Sequence, residues 1–319
     1  MPRSKQEWID LATRRIHSIL AAYHCCPIRM LEAKISEAGP GDKRPNPLSI
    51  TNALAQLTQA KNIFQIRKPS PTETPFYAPI WLDHKSKAFL DLLATRRHLY
   101  LLHKGLTERN DFCSDVLEQM LDTALVTAGA SFLSRFPSPK LPASRPLDFV
   151  ADIGGTRFGG EAKNYREWIY PDSAEIWSAI SKCCELDAVP ILITRKLPYI
   201  SFLLFRSVGM IGDQTHFQFF HPIVEPELAR VKHVDGLGYK DIRCVNDPDA
   251  NMVKFFTTTL PGIGPDFRQR FASHKSLLQH FADGEKLRDD SLNPKIRQKV
   301  FAQAWKALVG RDLSDDLTV

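Results

Sequence analysis

The stretch that most restricts the fold of this chain runs from Leu147 to Asn164. Leu147–Ile153 has strand composition, Gly154–Gly155 supplies a two-residue turn, and Arg157–Asn164 returns as an antiparallel partner. Ser173–Leu186 then reads as a helix, and Val189-Pro-Ile-Leu-Ile-Thr194 as a buried strand ending at Arg195–Lys196. Upstream, Asn110–Ala128 is an amphipathic helix carrying Phe112, Val116, Leu117, Met120, Leu121, Ala124 and Leu125 on its apolar side, with Gly129 as its left-handed stop. Helix, strand, strand, helix, strand places this part of the chain in the α/β class.

Composition limits the rest. With 319 residues, 43% hydrophobic and 24% charged, the chain can bury a full core and divide into two or three domains, which excludes disorder as its main state. No window holds 18 consecutive apolar residues, and Met1–Asp10 is polar, so neither a membrane span nor a secretory leader is expected. Cysteines stand at 25, 26, 113, 183, 184 and 244, a spacing that fits neither a disulfide framework nor a C-x-x-C zinc pair. Reduced thiols in a cytoplasm are the expectation.

The net charge of +6 is concentrated at one end, where residues 1–68 hold eleven basic and five acidic side chains. That polarity favours a polyanionic partner. In the same region, Gln6–Tyr23, Pro27–Ala38 and a segment from Asn46 to Lys61 show helical spacing, and Asn46–Pro47 reads as a cap with proline at the first position. Ile63–Lys68 and Phe76–Ile80 have strand composition around a proline-rich tip, Pro69–Pro75. Three helices and a hairpin resemble a winged helix, and Leu48-Ser-Ile-Thr-Asn-Ala-Leu-Ala-Gln-Leu57 resembles its recognition-helix signature. The resemblance implies contact with double-stranded DNA through Ser49, Asn52 and Gln56 on the third helix and through Arg67 and Lys68 at the root of the wing. The same fold also serves protein contacts.

The central hairpin carries the chemistry. Strand alternation puts Glu161 and Lys163 on one face, and Asp148, at the start of the opposing strand, can lie against them. Two carboxylates and the carbonyl of Ala162 are hard oxygen ligands suited to Mg²⁺, with Mn²⁺ as a substitute. Such an ion lowers the pKa of an attacking water and neutralises charge on a phosphate, while Lys163 can orient or deprotonate that water or stabilise the transition state. Asp152 shares the parity of Asp148 but lies beside the turn, where a solvated role is expected.

Asp148…Glu161-Ala-Lys163, with Pro146 just ahead, resembles the PD-(D/E)XK nuclease superfamily over about residues 110–200, in its junction-resolvase and restriction-like branches. The resemblance implies a restriction-endonuclease-like αββαβ core with a central mixed sheet, in which Glu118, Asp148 and Glu161 ligate metal and Lys163 is catalytic. The helix from Ser173 lacks a Gln-x-x-x-Tyr signature, so a helicase-coupled exonuclease is not expected. The implied organisation is a winged helix over 1–82, a connecting helix over 83–109, a nuclease core over 110–221 and a C-terminal extension over 222–319. The implied function is Mg²⁺-dependent DNA cleavage in prokaryotic restriction or defence against mobile elements and phage, by a homodimer or with a partner nuclease. A structure-selective junction or repair nuclease, and a DNA-binding regulator without activity, are the alternatives.

Beyond residue 198, Tyr199–Val208, Glu225–Val231, Pro265–Phe281 and Pro294–Leu308 read as helices, and Thr215–Phe220 and Asp241–Val245 as strands. His216 and His221 lack the neighbours of a metal site, and Gly262-Ile-Gly264 lacks the lysine of a phosphate loop, so no nucleotide cofactor is expected.

Overall fold

A computed structural model describes residues 4–36, 45–66, 74–134 and 147–313. In chain order the first elements are α1 (Lys5–Tyr23), β1 (Cys26–Pro27), α2 (Ile28–Ile35), α3 (Pro47–Gln59), β2 (Ile63–Ile66), β3 (Phe76–Pro79) and α4 (Lys87–Thr107). Then follow α5 (Ser114–Thr127), β4 (Ser131–Ser134), β5 (Phe149–Ile153), β6 (Thr156–Lys163), α6 (Ala174–Leu186), β7 (Val189–Thr194), α7 (Tyr199–Val208), β8 (Ile211–Gln214) and β9 (Gln218–Phe220). The last are α8 (Glu225–Lys232), β10 (Ile242–Cys244), α9 (Ala250–Lys254), α10 (Leu260–Gln279) and α11 (Pro294–Val309). None of the helices described is long and apolar enough to cross a membrane.

The chain forms two compact units. One gathers the described residues up to Glu108 together with Val224–Ile242, and the other gathers the described residues of Arg109–Ile223 and those from Arg243 to residue 313. The predicted boundaries differ in two respects. Helix α4 belongs to the first unit rather than standing between two domains, and the expected C-terminal extension is divided between the units. The cause is long-range contact. Arg96 of α4 donates to the carbonyls of Tyr23 and Cys25, and the Lys34 ammonium, lying over the Tyr23 ring, reaches the Val234 carbonyl at 3.4 Å.

In the first unit, α1 starts at a reciprocal cap between Ser4 and Glu7, and α3 at Asn46, whose side chain accepts from the Ser49 amide at 2.8 Å. Ile16 and Leu20 of α1 pack against Met30 and Leu31 of α2 and Ile50, Leu54 and Leu57 of α3. Strands β1, β3 and β2 make an antiparallel sheet in that order, with Ile63 opposite Pro79. On α3, Gln56 is exposed and Asn52 half-buried, but Ser49 is buried, contrary to its expected place on the polar face. Its position beside the buried Ile50 and one turn before Ala53 turns it toward the core. Arg67 and Lys68 lie outside the described residues, as does Pro146.

The second unit is built on a five-stranded mixed sheet in the order β4-β5-β6-β7-β8. The first three strands are antiparallel and β6, β7 and β8 run parallel. Strand β7 is buried along its whole length, because both faces of the sheet are covered. Residues of α6, α7, α10 and α11 pack with Val150 and Leu192 on one face, whereas α5 packs with Phe149, Ala151 and Ile191 on the other. Strands β4 and β8 were not expected. Both are short edge strands, and a bulge in β4 between Phe132 and Ser134 erases its alternation. Helix α10 starts at Leu260 and carries Pro265 within it, where the sequence predicts a start at Pro265.

Candidate active site

The β5–β6 hairpin turns at Gly154 and Gly155, with φ of +57° and +78°, as a two-residue loop between paired strands requires. This fixes the register, Phe149 against Gly160, and so brings Asp148 alongside Glu161. The Asp148 amide donates to the Gly160 carbonyl at 3.0 Å, and its Oδ2 accepts from the Ala162 amide at 2.7 Å. The carboxylate is thereby locked onto the strand that carries the other site residues.

Two glycines decide how closely the neighbours approach. A Cβ on Gly159 would stand 2.7 Å from Cys183 Sγ on α6, and one on Gly160 would stand 2.0 Å from the Phe149 ring. Without those atoms α6 settles onto the sheet, and its Lys182 reaches the Glu161 carboxylate. Glu161 is 6% exposed and held between two ammonium groups, Lys182 at Oε1 and Lys163 at Oε2, the latter 3.1 Å away. The ion pair bears out the same-face placement of Glu161 and Lys163.

Glu118 projects from α5, on the opposite face of the sheet from α6, but lies within electrostatic reach of Asp148, Lys163 and Glu161. Its side chain makes no hydrogen bond among the described residues. Burial, then the Asp148 and Asp115 carboxylates, push its carboxyl up to about 7 despite the opposing pull of Lys163. Asp148 is pushed up to about 6, first by burial and then by Glu161, against Lys163 and the Ala162 amide. Burial draws Lys163 down, but Glu161 and Asp148 together outweigh it, so its affinity for a proton is raised. The carboxylates of this cluster are crowded and their charge is incompletely compensated.

That donor set suits a divalent cation. Among the described residues no three His, Cys, Asp or Glu side chains are placed to hold an ion by themselves. Magnesium, however, commonly takes one or two carboxylates and keeps several waters. Asp148 through its second oxygen, Glu161 and the Ala162 carbonyl are the groups that would hold it.

Asp152, the competing aspartate, pairs with Arg157 across the hairpin at 3.1 Å and lies away from this cluster. Lys196 Nζ lies 3.3 Å from His216 Nδ1, and that imidazole is held below its ordinary pKa by burial and by Lys196 and Arg195.

Two contributions escaped sequence reasoning. Lys182 left one signal, a lysine flanked by buried Ile180, Ser181, Cys183 and Cys184 on the apolar side of α6. Asn164, next after Lys163, is buried, donates to the carbonyls of Cys113 and Phe219 at 2.7 Å each, and accepts from the Phe219 amide at 2.9 Å. It anchors the end of β6 to the residue before α5 and to β9, so the Glu161–Lys163 segment cannot swing. Comparison with protein-family models, curated proteins and solved structures finds no match to this chain.

Proposed function

We propose that this chain is a divalent-metal-dependent nuclease that hydrolyses phosphodiester bonds in DNA. The observation that carries the reading is the convergence of Asp148, Glu161 and Lys163, brought from adjacent strands into one crowded, partly buried cluster. The order α5, β5, β6, α6, β7, with β5 and β6 antiparallel and β6 and β7 parallel, is the order expected of a restriction-endonuclease-like core. Support for a DNA-binding winged helix in the first unit comes from its first three helices, its small antiparallel sheet and the basic excess of its sequence. A role in prokaryotic restriction or defence suits such a combination, and cutting both strands calls for a homodimer or a partner nuclease.

Asp148 and Glu161 would hold the ion, with the carbonyl of Ala162. When bound, it supplies a water acidified toward neutral pH and positive charge on the phosphate oxygens. The protein's own part is placement and charge. The Ala162 amide orients Asp148, Lys182 holds one oxygen of Glu161 in place, and Lys163 presents an ammonium whose charge its carboxylate neighbours secure. That ammonium is suited to stabilising negative charge on the scissile phosphate rather than to accepting a proton.

One observation favours the non-enzymatic reading: both oxygens of Glu161 already contact lysines. Incubation of the chain with plasmid and linear DNA in Mg²⁺ or Mn²⁺ separates the two. Cleavage is expected, and Lys163→Ala should lower it by at least about a hundredfold, the scale of one lost transition-state donor, while DNA affinity stays nearly constant. If the wild-type chain with either ion cuts no DNA or RNA of any form, it is a binding module. Comparing linear duplex with four-way junctions tests the structure-selective alternative.

A further inference from the structure

The second unit contains a cavity of about 660 Å³ beside the catalytic cluster, within the size range of small-molecule sites. It shares residues with the cluster's surroundings. Tyr165, two residues after Lys163, donates its hydroxyl to Glu175 at the start of α6, and Glu175 acts electrostatically on Lys163. The cavity is aromatic, with Tyr165, Trp168 and Tyr170 in its wall, and acidic, with Glu167, Asp172, Glu175 and Asp290.

Among the described residues its wall holds one basic side chain, Arg297, which is already engaged by backbone carbonyls, those of Asp172 at 3.2 Å, Leu287 at 2.6 Å and Asp289. A phosphate would therefore be repelled here, although a phosphodiester is expected next door. Among the described residues, the indole N–H of Trp168 and the hydroxyl of Ser173 in this wall lack hydrogen-bond partners. Both atoms are buried, and Ser173 caps α6 without using its side chain. Unsatisfied buried donors of this kind are costly unless a ligand meets them.

A group that is flat and aromatic, rich in N–H donors, uncharged and covalently tied to a phosphodiester meets all these conditions. We propose that this cavity receives an unstacked nucleobase bearing an exocyclic amine, from a nucleotide flanking the scissile phosphate. The proposal rests on the nuclease reading and extends it to the state of the substrate, which must offer a base outside a duplex stack. The aromatic rings supply stacking surface, the carboxylates accept from the exocyclic amine, and Trp168 Nε1 donates to a ring nitrogen or carbonyl. Cytosine, adenine and guanine carry that amine and thymine lacks it, so the cavity discriminates against thymine.

The test is equilibrium binding of the full chain to labelled single-stranded oligo(dA), oligo(dC) and oligo(dT), and to an intact duplex, in EDTA so that nothing is cut. Wild type should bind oligo(dA) and oligo(dC) about tenfold more tightly than oligo(dT). Trp168→Ala should weaken binding to the first two by about fivefold or more, the lower end of one lost stack, without changing duplex affinity. Trp168→Phe, which keeps a stacking ring and leaves the carboxylates in place, should keep most of the affinity and the preference for amine-bearing bases, and unchanged thermal melting would show both variants folded. Equal binding of all three oligonucleotides by wild type, or no effect of Trp168→Ala, overturns the proposal. So does quenching of tryptophan fluorescence by spermidine but not by single strands in wild type only, which would make the cavity an amine site. Loss of base discrimination with metal-dependent cleavage intact sinks the cavity and spares the nuclease. Discrimination without cleavage does the reverse.

Discussion

Glu161 is the residue on which the site turns, because a buried carboxylate needs compensation and here receives it from two lysines of different origin. Lys163 is a strand neighbour and Lys182 comes from the helix above. Breaking a buried pair leaves an uncompensated charge, whereas removing both partners is milder. Lys182→Met should therefore destabilise the protein by about 3 kcal/mol in urea unfolding, and a Glu161→Gln/Lys182→Met double variant should recover part of that loss. Additive losses would mean that the contact carries no energy. The Glu161-Ala-Lys163 spacing was legible because strand period is a local property. Lys182 was not, since nothing along the chain states which helix will lie over which strand.

At the level of elements, the hairpin and α6 make the site together. Gly154–Gly155 was readable as a turn, but the two glycines after Phe158 had a purpose that only packing reveals. Gly159 admits Cys183 and Leu147, and Gly160 admits the ring of Phe149. Gly159→Ala should lift α6 and cost about 1–3 kcal/mol, the usual penalty for overpacking, with cleavage falling because Lys182 moves off Glu161. Gly160→Ala, whose Cβ would overlap an immobile ring, should cost more. Gly155→Ala meets open space and should cost only the strain of a left-handed backbone, about 1–2 kcal/mol. Thermal and urea melts of the three variants check that ranking, and equal losses would contradict the packing account. Long periodic helices such as α5 and α11 were legible to within a few residues. Strands β4 and β8 were too short and irregular to leave a period.

Across the whole molecule, charge balance couples to pH. Asp148 and Glu118, raised to about 6 and about 7, bind protons more tightly in the folded chain than when unfolded. Between about pH 4 and pH 7 these two carboxyls hold more protons in the native state, so the stability they contribute falls as pH rises, opposed in part by His216, which burial holds below its ordinary pKa. The melting temperature without divalent ions should drop from pH 5 to pH 7.5, and Mg²⁺, which needs ionised ligands, should restore it more at the higher pH. Asp213, pushed up to about 6 by burial, adds to the slope, so Asp148→Asn isolates the site's share. A flat profile indifferent to Mg²⁺ in both proteins would contradict the crowded-carboxylate account.

By itself, the sequence determined the α/β class, the helices with strong periodicity, the glycine turn and the shared face of Glu161 and Lys163, all consequences of local spacing. Only the tertiary structure decided that Ser49 turns inward, that residues 224–242 join the first unit, that Lys182 shares Glu161, and that Glu118 approaches from across the sheet. Each depends on contacts between segments far apart in the chain, where burial and charge compensation override local preference.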